Sequence, residues 1–301
     1  MKPQLPPKQP LHGWIILDKP LNMTSTQAVG MVKRILRPLK IGHAGTLDPL
    51  ASGILPLALG EATKLMPYLF DAEKTYRFTV EWGAETETDD KESAAVNQSA
   101  VRPSEAEILV ALPGFVGRVW QTPPIYSAIK LDGQRAYDLA RGGEIPEMTP
   151  REVDIHSLTL LECPDNDHAS FEMTCGKGTY VRSLARELGR KLGCFGHVSM
   201  LRRTAVGNFS LDQAISLENQ GADVHTAALN AIRPPATVLD DIPAVEVGQD
   251  QARKLRHGQP ILLPQPTLPE NAEIAIFSGS TLLAIGEKRG PSIAPLRVFN
   301  L

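Results

Sequence analysis

The order of strand-like and helix-like segments constrains the fold of this chain most strongly. Residues 76–82 (YRFTVEW) and 171–175 (FEMTC) alternate apolar and polar side chains, which is the period of a half-buried strand. Residues 181–192 instead carry apolar side chains at helical spacing, and Gly193 follows as a stop signal. The polar face of this helix carries three arginines, Arg182, Arg186 and Arg190. Because strands and helices interleave without regular strand–helix–strand units, the sequence predicts an α+β fold with a mixed, mainly antiparallel sheet.

Capping signals predict further helices. Thr24 and Gln27 form a capping-box pattern before an amphipathic segment that Pro38 ends, and Ser104 with Glu107 repeats the pattern. We expect one more helix over residues 61–70.

The chain length and a proline-rich segment near residues 234–243 predict two folded units. The 301 residues, 42% of them hydrophobic, suffice for one large and one small core. We predict a flexible tail over residues 1–11, a catalytic domain over 12–236, a hinge near 234–243 and a small β-rich domain over 240–301. No apolar run reaches the roughly 18 residues of a membrane span, and the proline-rich start does not resemble a signal peptide. We therefore expect a cytoplasmic protein.

Charge is segregated along the chain, although the net charge is only -3. Residues 1–70 hold eight basic and three acidic side chains, and residues 171–205 hold seven and two. Residues 71–110 hold four basic and ten acidic side chains. If the two basic segments meet in space, they form a cationic surface suited to a phosphate backbone. If they do not meet, they are solvated faces.

The glycine-rich segment 42–53 (GHAGTLDPLASG) carries the candidate catalytic group. Asp48 lies between Leu47 and Pro49 in a stretch without periodicity, which predicts an ordered loop. An aspartate before proline often caps its own turn, so a structural role is the alternative to a catalytic one. His43 either contacts a ligand or bonds to the turn backbone. No second carboxylate stands at an obvious spacing, which argues against a two-acid glycosidase.

The sequence contains no metal or nucleotide motif. None of the other six histidines stands at ligand spacing from His43, so a zinc site is not predicted. The three cysteines, Cys163, Cys175 and Cys194, lack a C-x-x-C pattern and are expected to be reduced. Residues 176–179 (GKGT) miss the spacing of an ATP-binding loop, but they can attract a phosphate to the start of the basic helix. We expect neither a metal nor a cofactor.

Four further side chains have both a structural and a binding interpretation. Tyr76 and Tyr180 are core or rim aromatics, or faces on which a splayed base stacks. Leu201 is by default a core residue and Arg182 a surface residue.

Six segments, in one order between residues 14 and 209, carry a family resemblance. They are WIILDKPLNMTS (14–25), GHAGTLDPLASGILPLALGEATKL (42–65), EKTYRF (73–78), PPIYSAIKLDGQRAYDLAR (123–141), CGKGTYVRSLARELGRKLG (175–193) and LRRTAVGNF (201–209). Together they resemble the TruB family of tRNA pseudouridine synthases. LRHGQPI (255–261) and LLAIGE (282–287) resemble the small PUA-like RNA-binding domain of that family.

The resemblance implies a monomeric isomerase that acts on the T arm of tRNA, at uridine 55, without a cofactor. It implies that Asp48 is the essential carboxylate, which attacks or deprotonates the target nucleoside so that the glycosidic bond breaks. It assigns Tyr76 to stacking on the flipped uracil and to the proton that leaves C5. It assigns Arg182 to an ion pair with Asp48.

The same resemblance implies the binding residues. Tyr180 and Leu201 would line the base pocket, and His43 would contact the RNA where the base has left its stack. Lys19 and Lys64 are implied as structural residues or phosphate contacts.

The sequence departs from the family pattern at two turns. Asn22 stands in place of a glycine in K-P-x-G, and asparagine tolerates a left-handed conformation better than most residues. Ser93 stands in place of the glycine that ends T-x-T-x-D-x-x-G.

Two other function classes remain open from the sequence. One is an RNA-binding or RNA-folding module that kept the scaffold without catalysis. The other is a nucleotide-dependent enzyme that uses residues 176–179.

Overall fold

One large and one small sheet organise the protein. The structure, a computed structural model, describes residues 7–127, 129–131, 133–144, 146–218, 221–265 and 267–301. Its strands are β1 (Gly13–Lys19), β2 (Ile41–His43), β3 (Ala51–Leu59), β4 (Lys74–Trp82), β5 (Ala84–Thr86), β6 (Ala95–Gln98), β7 (Gly117–Gln121), β8 (Lys130–Leu131), β9 (Gln134–Arg135), β10 (Arg151–Asp165), β11 (His168–Cys175), β12 (Gly196–Val206), β13 (Phe209–Ser210), β14 (Ala244–Glu246), β15 (Ile261–Leu262), β16 (Glu273–Ser278), β17 (Thr281–Arg289) and β18 (Ser292–Val298). Its α-helices are α1 (Ser25–Leu36), α2 (Met66–Asp71), α3 (Glu105–Ala111), α4 (Ala136–Arg141), α5 (Val181–Lys191), α6 (Val224–Asn230) and α7 (Gln249–Arg256).

The large sheet runs in the order β1-β3-β12-β4-β11-β10-β7, with β2 added beside β3 and β13 beside β12. The neighbouring strands are antiparallel except β3 and β12, which run parallel with Leu201 opposite Ala51. The predicted α+β class with a mixed, mainly antiparallel sheet is therefore confirmed.

The core of this sheet follows the predicted alternation. Phe78, Val80 and Trp82 of β4 are buried, as are Phe171 and Met173 of β11. The rings of Phe78 and Phe171 stack with their centroids 5.3 Å apart. Burial of these side chains on one face fixes the register of the central strands, because a slip of one residue would expose all of them.

The capping boxes predicted before α1 and α3 are both present. The Thr24 side chain accepts from the Gln27 amide, and the Gln27 side chain accepts from the Thr24 amide. Helix α1 ends where Arg37 adopts a left-handed conformation, directly before Pro38. Ser104 and Glu107 form the same reciprocal pair.

The single helix predicted over residues 61–70 is wrong in its form. Residues Gly60–Leu65 form a 3-10 helix, and α2 begins only at Met66. Pro67 explains the division, because proline lacks the N–H that a continuous α-helix would need there.

The C-terminal strands form a second, five-stranded sheet in the order β14-β16-β17-β18-β15. The predicted β-rich character of this C-terminal region is therefore confirmed. A shared hydrophobic core joins this sheet to the large unit, since Trp14 and Ile54 belong to the same buried cluster as Leu282 and Phe299.

Hydrogen bonds hold the first and last segments of the large unit against its body. The Trp14 indole donates to the Pro235 carbonyl at 2.9 Å, within the segment predicted as a hinge. Residues 1–6 of the predicted tail lie outside the described residues, whereas Gln9 exchanges backbone hydrogen bonds with Arg37 and Leu39. In the described part of the chain, no helix combines the length and the apolar character that crossing a membrane requires.

Candidate active site

The loop between β2 and β3 holds Asp48 at the edge of a cavity. Ser25 anchors this loop, because its Oγ donates to the Leu47 carbonyl at 3.0 Å and accepts from the Leu47 amide at 2.9 Å. A turn from the Asp48 carbonyl to the Ala51 amide closes the loop before β3. The Asp48 side chain remains 38% exposed, so a ligand can reach its carboxylate.

Arg182 lies in the first turn of α5 and faces Asp48. Its Nη2 is 2.9 Å from Asp48 Oδ2, and the arginine side chain is only 6% exposed. The guanidinium also donates to the carbonyls of Thr88 and Tyr126, at 3.0 Å each. These fixed partners hold Arg182 in place opposite the carboxylate. The default expectation that Arg182 is a surface residue is wrong.

Asp48 and Arg182 border a cavity of about 330 Å³, a size typical of small-molecule sites. Tyr76 of β4, Tyr180 at the start of α5 and Leu201 of β12 line the same cavity. The structure thus brings together five of the predicted site residues from four separate parts of the chain.

Both tyrosines of the cavity are protonated in the free protein. Burial raises the pKa of Tyr76, an effect that the nearby Arg203 guanidinium partly opposes. Burial also raises the pKa of Tyr180. At neutral pH each therefore presents a phenol, which combines an apolar face with a polar tip.

His43 lies on β2, immediately before the Asp48 loop. Its Nδ1 is buried and has no hydrogen-bond partner among the described residues. Burial lowers the pKa of His43, and the Arg203 cation lowers it further. The imidazole is therefore mainly neutral at pH 7.

Lys19 is fully buried behind the Asp48 loop, and Lys64 lies elsewhere. The Lys19 ammonium donates to the carbonyls of Pro20 at 2.9 Å and Met23 at 2.7 Å. Lys64 instead donates to the Val298 carbonyl at 2.8 Å, where the small sheet meets the large unit. The structure does not bring Lys64 to the cavity.

Lys19 gives the protein a characteristic pH dependence. Burial lowers its pKa from 10.5 to about 8, opposed by the charge of Asp48 and assisted by that of Arg203. Between these two values the unfolded chain holds a proton that the native protein has lost, so stability from this group rises with pH. We expect the free energy of unfolding of the wild type, minus that of Lys19→Met, to grow between about pH 7.5 and about pH 9.5. Urea unfolding of both proteins measures the difference, and a constant or shrinking difference would contradict the assignment.

The acidic segment neutralises the arginines of α5. Arg186 pairs with the buried Asp89 at 2.5 Å, and Arg190 pairs with Glu85 at 2.6 Å. All three arginines of α5 are therefore paired with carboxylates, Arg182 with Asp48 and the other two with residues between β4 and α3, so this face of the helix is not a free cationic surface. Burial raises the pKa of Asp89 to about 6, although Arg186 and Arg182 oppose it.

The two departures from the family pattern fit the structure. Asn22 adopts a left-handed conformation with φ 61°, so asparagine preserves the turn. Ser93 accepts a hydrogen bond from the Thr88 amide at 2.8 Å and thereby holds the loop whose carbonyl binds Arg182.

The sequence reasoning missed several residues that line the cavity, among them Phe70, Lys74, Ser127 and Arg203. Phe70 is 45% exposed at the cavity, and the Ser127 hydroxyl is buried without a partner among the described residues. Arg203 is 2% exposed. Its signal was available, since in a strand Arg203 shares the face of Leu201.

The segment 176–179 lines the cavity as well, and Lys177 pairs with Asp71 at 2.7 Å. Among the described residues, no group of three or more His, Cys, Asp or Glu side chains is placed to hold a metal ion. The three cysteines are free thiols, two of them buried.

Three protein-family models match most of the chain, from residue 33 to residue 299. Residues 33–181 match the TruB family pseudouridylate synthase (N terminal domain). Residues 182–233 match the tRNA pseudouridylate synthase B C-terminal domain, and residues 243–299 match Pseudouridine synthase II TruB, C-terminal.

Curated relatives are similar over most of their length. The tRNA pseudouridine synthase B of Bradyrhizobium diazoefficiens is 50% identical, over 98% of this chain and 87% of the relative. That of Agrobacterium fabrum is also 50% identical, over 98% of this chain and 96% of the relative.

Solved structures share the fold. A Cbf5-Nop10-Gar1 complex contains a chain that is 25% identical with a TM-score of 0.71, over 95% of this chain and 84% of that one. An H/ACA RNP bound to a substrate RNA containing 2'-deoxyuridine contains a chain that is 24% identical with a TM-score of 0.71, over 96% and 86% of the two chains.

Proposed function

Because the chain belongs to the TruB family of pseudouridine synthases, we propose that it isomerises uridine to pseudouridine in tRNA, with the T-loop uridine at position 55 as its target. The observation that carries this proposal is the Asp48 carboxylate, held 2.9 Å from a buried guanidinium at the edge of a cavity lined by two tyrosines.

The reaction matches the groups in this cavity. The bond between N1 and C1′ breaks, the uracil turns, and a bond from C5 to C1′ replaces it. One proton leaves C5 and one is gained at N1, so substrate and product are isomers and no external oxidant or reductant takes part. The chemistry needs one nucleophile or base and a pocket that retains the free base.

Asp48 acts on the ribose, either by attack at C1′ or by removal of the proton at C2′. Both routes use a charged carboxylate, and the Arg182 guanidinium forms an ion pair with it at 2.9 Å. Arg182 in turn keeps its position through the carbonyls of Thr88 and Tyr126.

Tyr76 stacks on the flipped uracil, and as the product forms its phenol gives its own proton to N1 and receives the C5 proton, so that one proton moves from C5 to N1 and Tyr76 ends as a phenol. The Arg203 guanidinium on the neighbouring strand stabilises the phenolate state of Tyr76, while burial favours the phenol in the free protein. Tyr180 and Leu201 form the other walls of the base pocket.

His43 contacts the RNA beside the flipped nucleotide. Its imidazole is only partly buried and lies on β2, immediately before the Asp48 loop, where it can meet the group exposed when the base leaves its stack, an event that costs a few kcal/mol. Lys19 supports the loop behind Asp48 through two carbonyl bonds. Lys64 is structural, because its ammonium binds the Val298 carbonyl and Glu61.

The two units have separate parts in this proposal. Residues 12–236 form the catalytic domain, and residues 240–301 form a PUA-like domain that adds RNA contacts. Arg253, Lys254 and Arg256 in the last turn of α7 supply positive charge for a phosphate backbone.

We further propose a monomer that acts in the cytoplasm with tRNA as its only macromolecular partner. All the residues in the proposed catalytic roles come from one chain, and the three free thiols suit a reducing compartment. Light scattering during size-exclusion chromatography tests the monomer, and a stable dimer would contradict it.

The test of the function is a modification map. An unmodified tRNA transcript is incubated with the protein, treated with carbodiimide and read by primer extension. We expect one stop at the T-loop uridine. An unmodified transcript that nevertheless binds the protein would favour the RNA-binding module without catalysis.

A further inference from the structure

The geometry points to Arg203 as a positioning residue that holds the Asp48 loop in its reactive shape. This inference rests on the proposed function and assigns Arg203 a role for that reaction. Arg203 lies on β12 and is 2% exposed.

The Arg203 guanidinium ties together both sides of the Asp48 loop. Its Nη2 donates to the Gly45 carbonyl at 3.1 Å, and its Nε donates to the Ile54 carbonyl at 2.8 Å. The Thr46 carbonyl accepts a longer contact from Nη1 at 3.5 Å. Gly45 precedes Asp48 and Ile54 follows it, so one planar group fixes the distance between the two arms of the loop.

The backbone around Arg203 is shaped to admit this contact. Gly45 has φ +97°, and a Cβ built there would lie 3.3 Å from Arg203 Nη1. Gly53 has φ +99°, and a Cβ there would lie 2.2 Å from the Arg203 carbonyl oxygen. Both glycines therefore allow the loop to close against the arginine.

Arg203 carries its charge into the interior without a carboxylate partner. Among the described residues, no Asp or Glu oxygen lies within ion-pair distance of its guanidinium. A buried cation of this kind costs stability compared with an apolar side chain. Its retention fits a role in positioning rather than in stability.

Arg203 also faces the substrate cavity beside Tyr76. The two residues are directly opposite on neighbouring antiparallel strands, and both line the cavity. The same guanidinium thus fixes the loop of the carboxylate on one side and borders the stacking tyrosine on the other.

The decisive variant is Arg203→Lys, with Arg202→Lys as its matched control. Lysine keeps the charge but cannot span the loop carbonyls as a planar guanidinium does. Arg202 is the adjacent residue on β12, and it pairs with Asp18 at 2.7 Å, outside the cavity. A lysine at position 202 can keep the ion pair with Asp18.

We expect the single-turnover rate of Arg203→Lys at saturating enzyme to fall about 100-fold, since a displacement of about 1 Å in a reacting group has this effect. The Kd for tRNA should stay within about 3-fold, a change of well under 1 kcal/mol. Arg202→Lys should change neither value. A wild-type rate in Arg203→Lys, or equal losses in both variants, would overturn the inference.

Two further measurements keep the test independent of folding and of the reaction itself. Gly45→Ala crowds the same contact from the loop side, and it should lower the rate as Arg203→Lys does. In the free proteins, hydrogen exchange of residues 44–50 should be faster in Arg203→Lys than in Arg202→Lys. Unchanged exchange overturns the positioning role, whereas an inactive wild type with the expected exchange rejects only the proposed function.

Discussion

We expect Asp48→Asn to form pseudouridine in tRNA at least roughly 10⁴-fold more slowly than the wild type, the range seen when the central group of a catalytic set is removed. The amide has nearly the same shape as the carboxylate, but it can neither attack C1′ nor accept the C2′ proton. Single-turnover conversion of a tRNA transcript, followed by the modification map, measures the loss.

The same variant should still bind and fold. Asp48 is 38% exposed and pairs with Arg182. The asparagine side chain that replaces it keeps the volume of the aspartate and loses only its charge. We expect the Kd for tRNA to change by less than about 10-fold, or about 1.4 kcal/mol. Asp212→Asn, at an exposed aspartate outside the cavity, is the control and should react at the wild-type rate. Product that accumulates at the wild-type rate in Asp48→Asn would exclude the carboxylate from the reaction.

Phe299→Ala should cause the largest loss of stability among single substitutions in the C-terminal region. Phe299 is 2% exposed and lies in the buried cluster that includes Trp14 and Ile54 of the large unit. Deleting such a ring from a packed core costs about 3–5 kcal/mol. Urea unfolding followed by tryptophan fluorescence measures the change.

The matched control lies two residues further on. Leu301 is 44% exposed, and Leu301→Ala should leave the free energy of unfolding within about 0.5 kcal/mol of the wild type. We also expect one cooperative transition in the wild type, because the shared core joins the two sheets. Two separate transitions, with Phe299→Ala affecting only one, would contradict a shared core.

Local patterns predicted much of the fold. The alternation in β4 and β11, the capping boxes at Thr24 and Ser104, and the stop at Gly193 are short-range signals that act within one turn or one strand. The single helix predicted over residues 61–70 was wrong because it ran through Pro67, whose missing N–H divides that segment.

The candidate site was only partly predictable. Asp48 stood out through its glycine-rich loop, and the family resemblance supplied Tyr76 and Arg182. The strand pattern placed Arg203 on the face of Leu201, but it gave no sign of the loop contacts, since the partners Gly45 and Ile54 are remote in sequence. The charge runs were likewise ambiguous, because a basic helix and an acidic loop have the same composition whether or not they meet.

The sequence by itself determined the class of fold, the candidate catalytic loop and the family, because these depend on spacings and motifs within short segments. Only the tertiary structure decided that the arginines of α5 bind carboxylates, that Lys64 lies away from the cavity, and that Arg203 joins the two arms of the Asp48 loop. The physical reason is that burial and ion pairing depend on distances between residues remote along the chain, and those distances exist only once the sheet has brought its strands together.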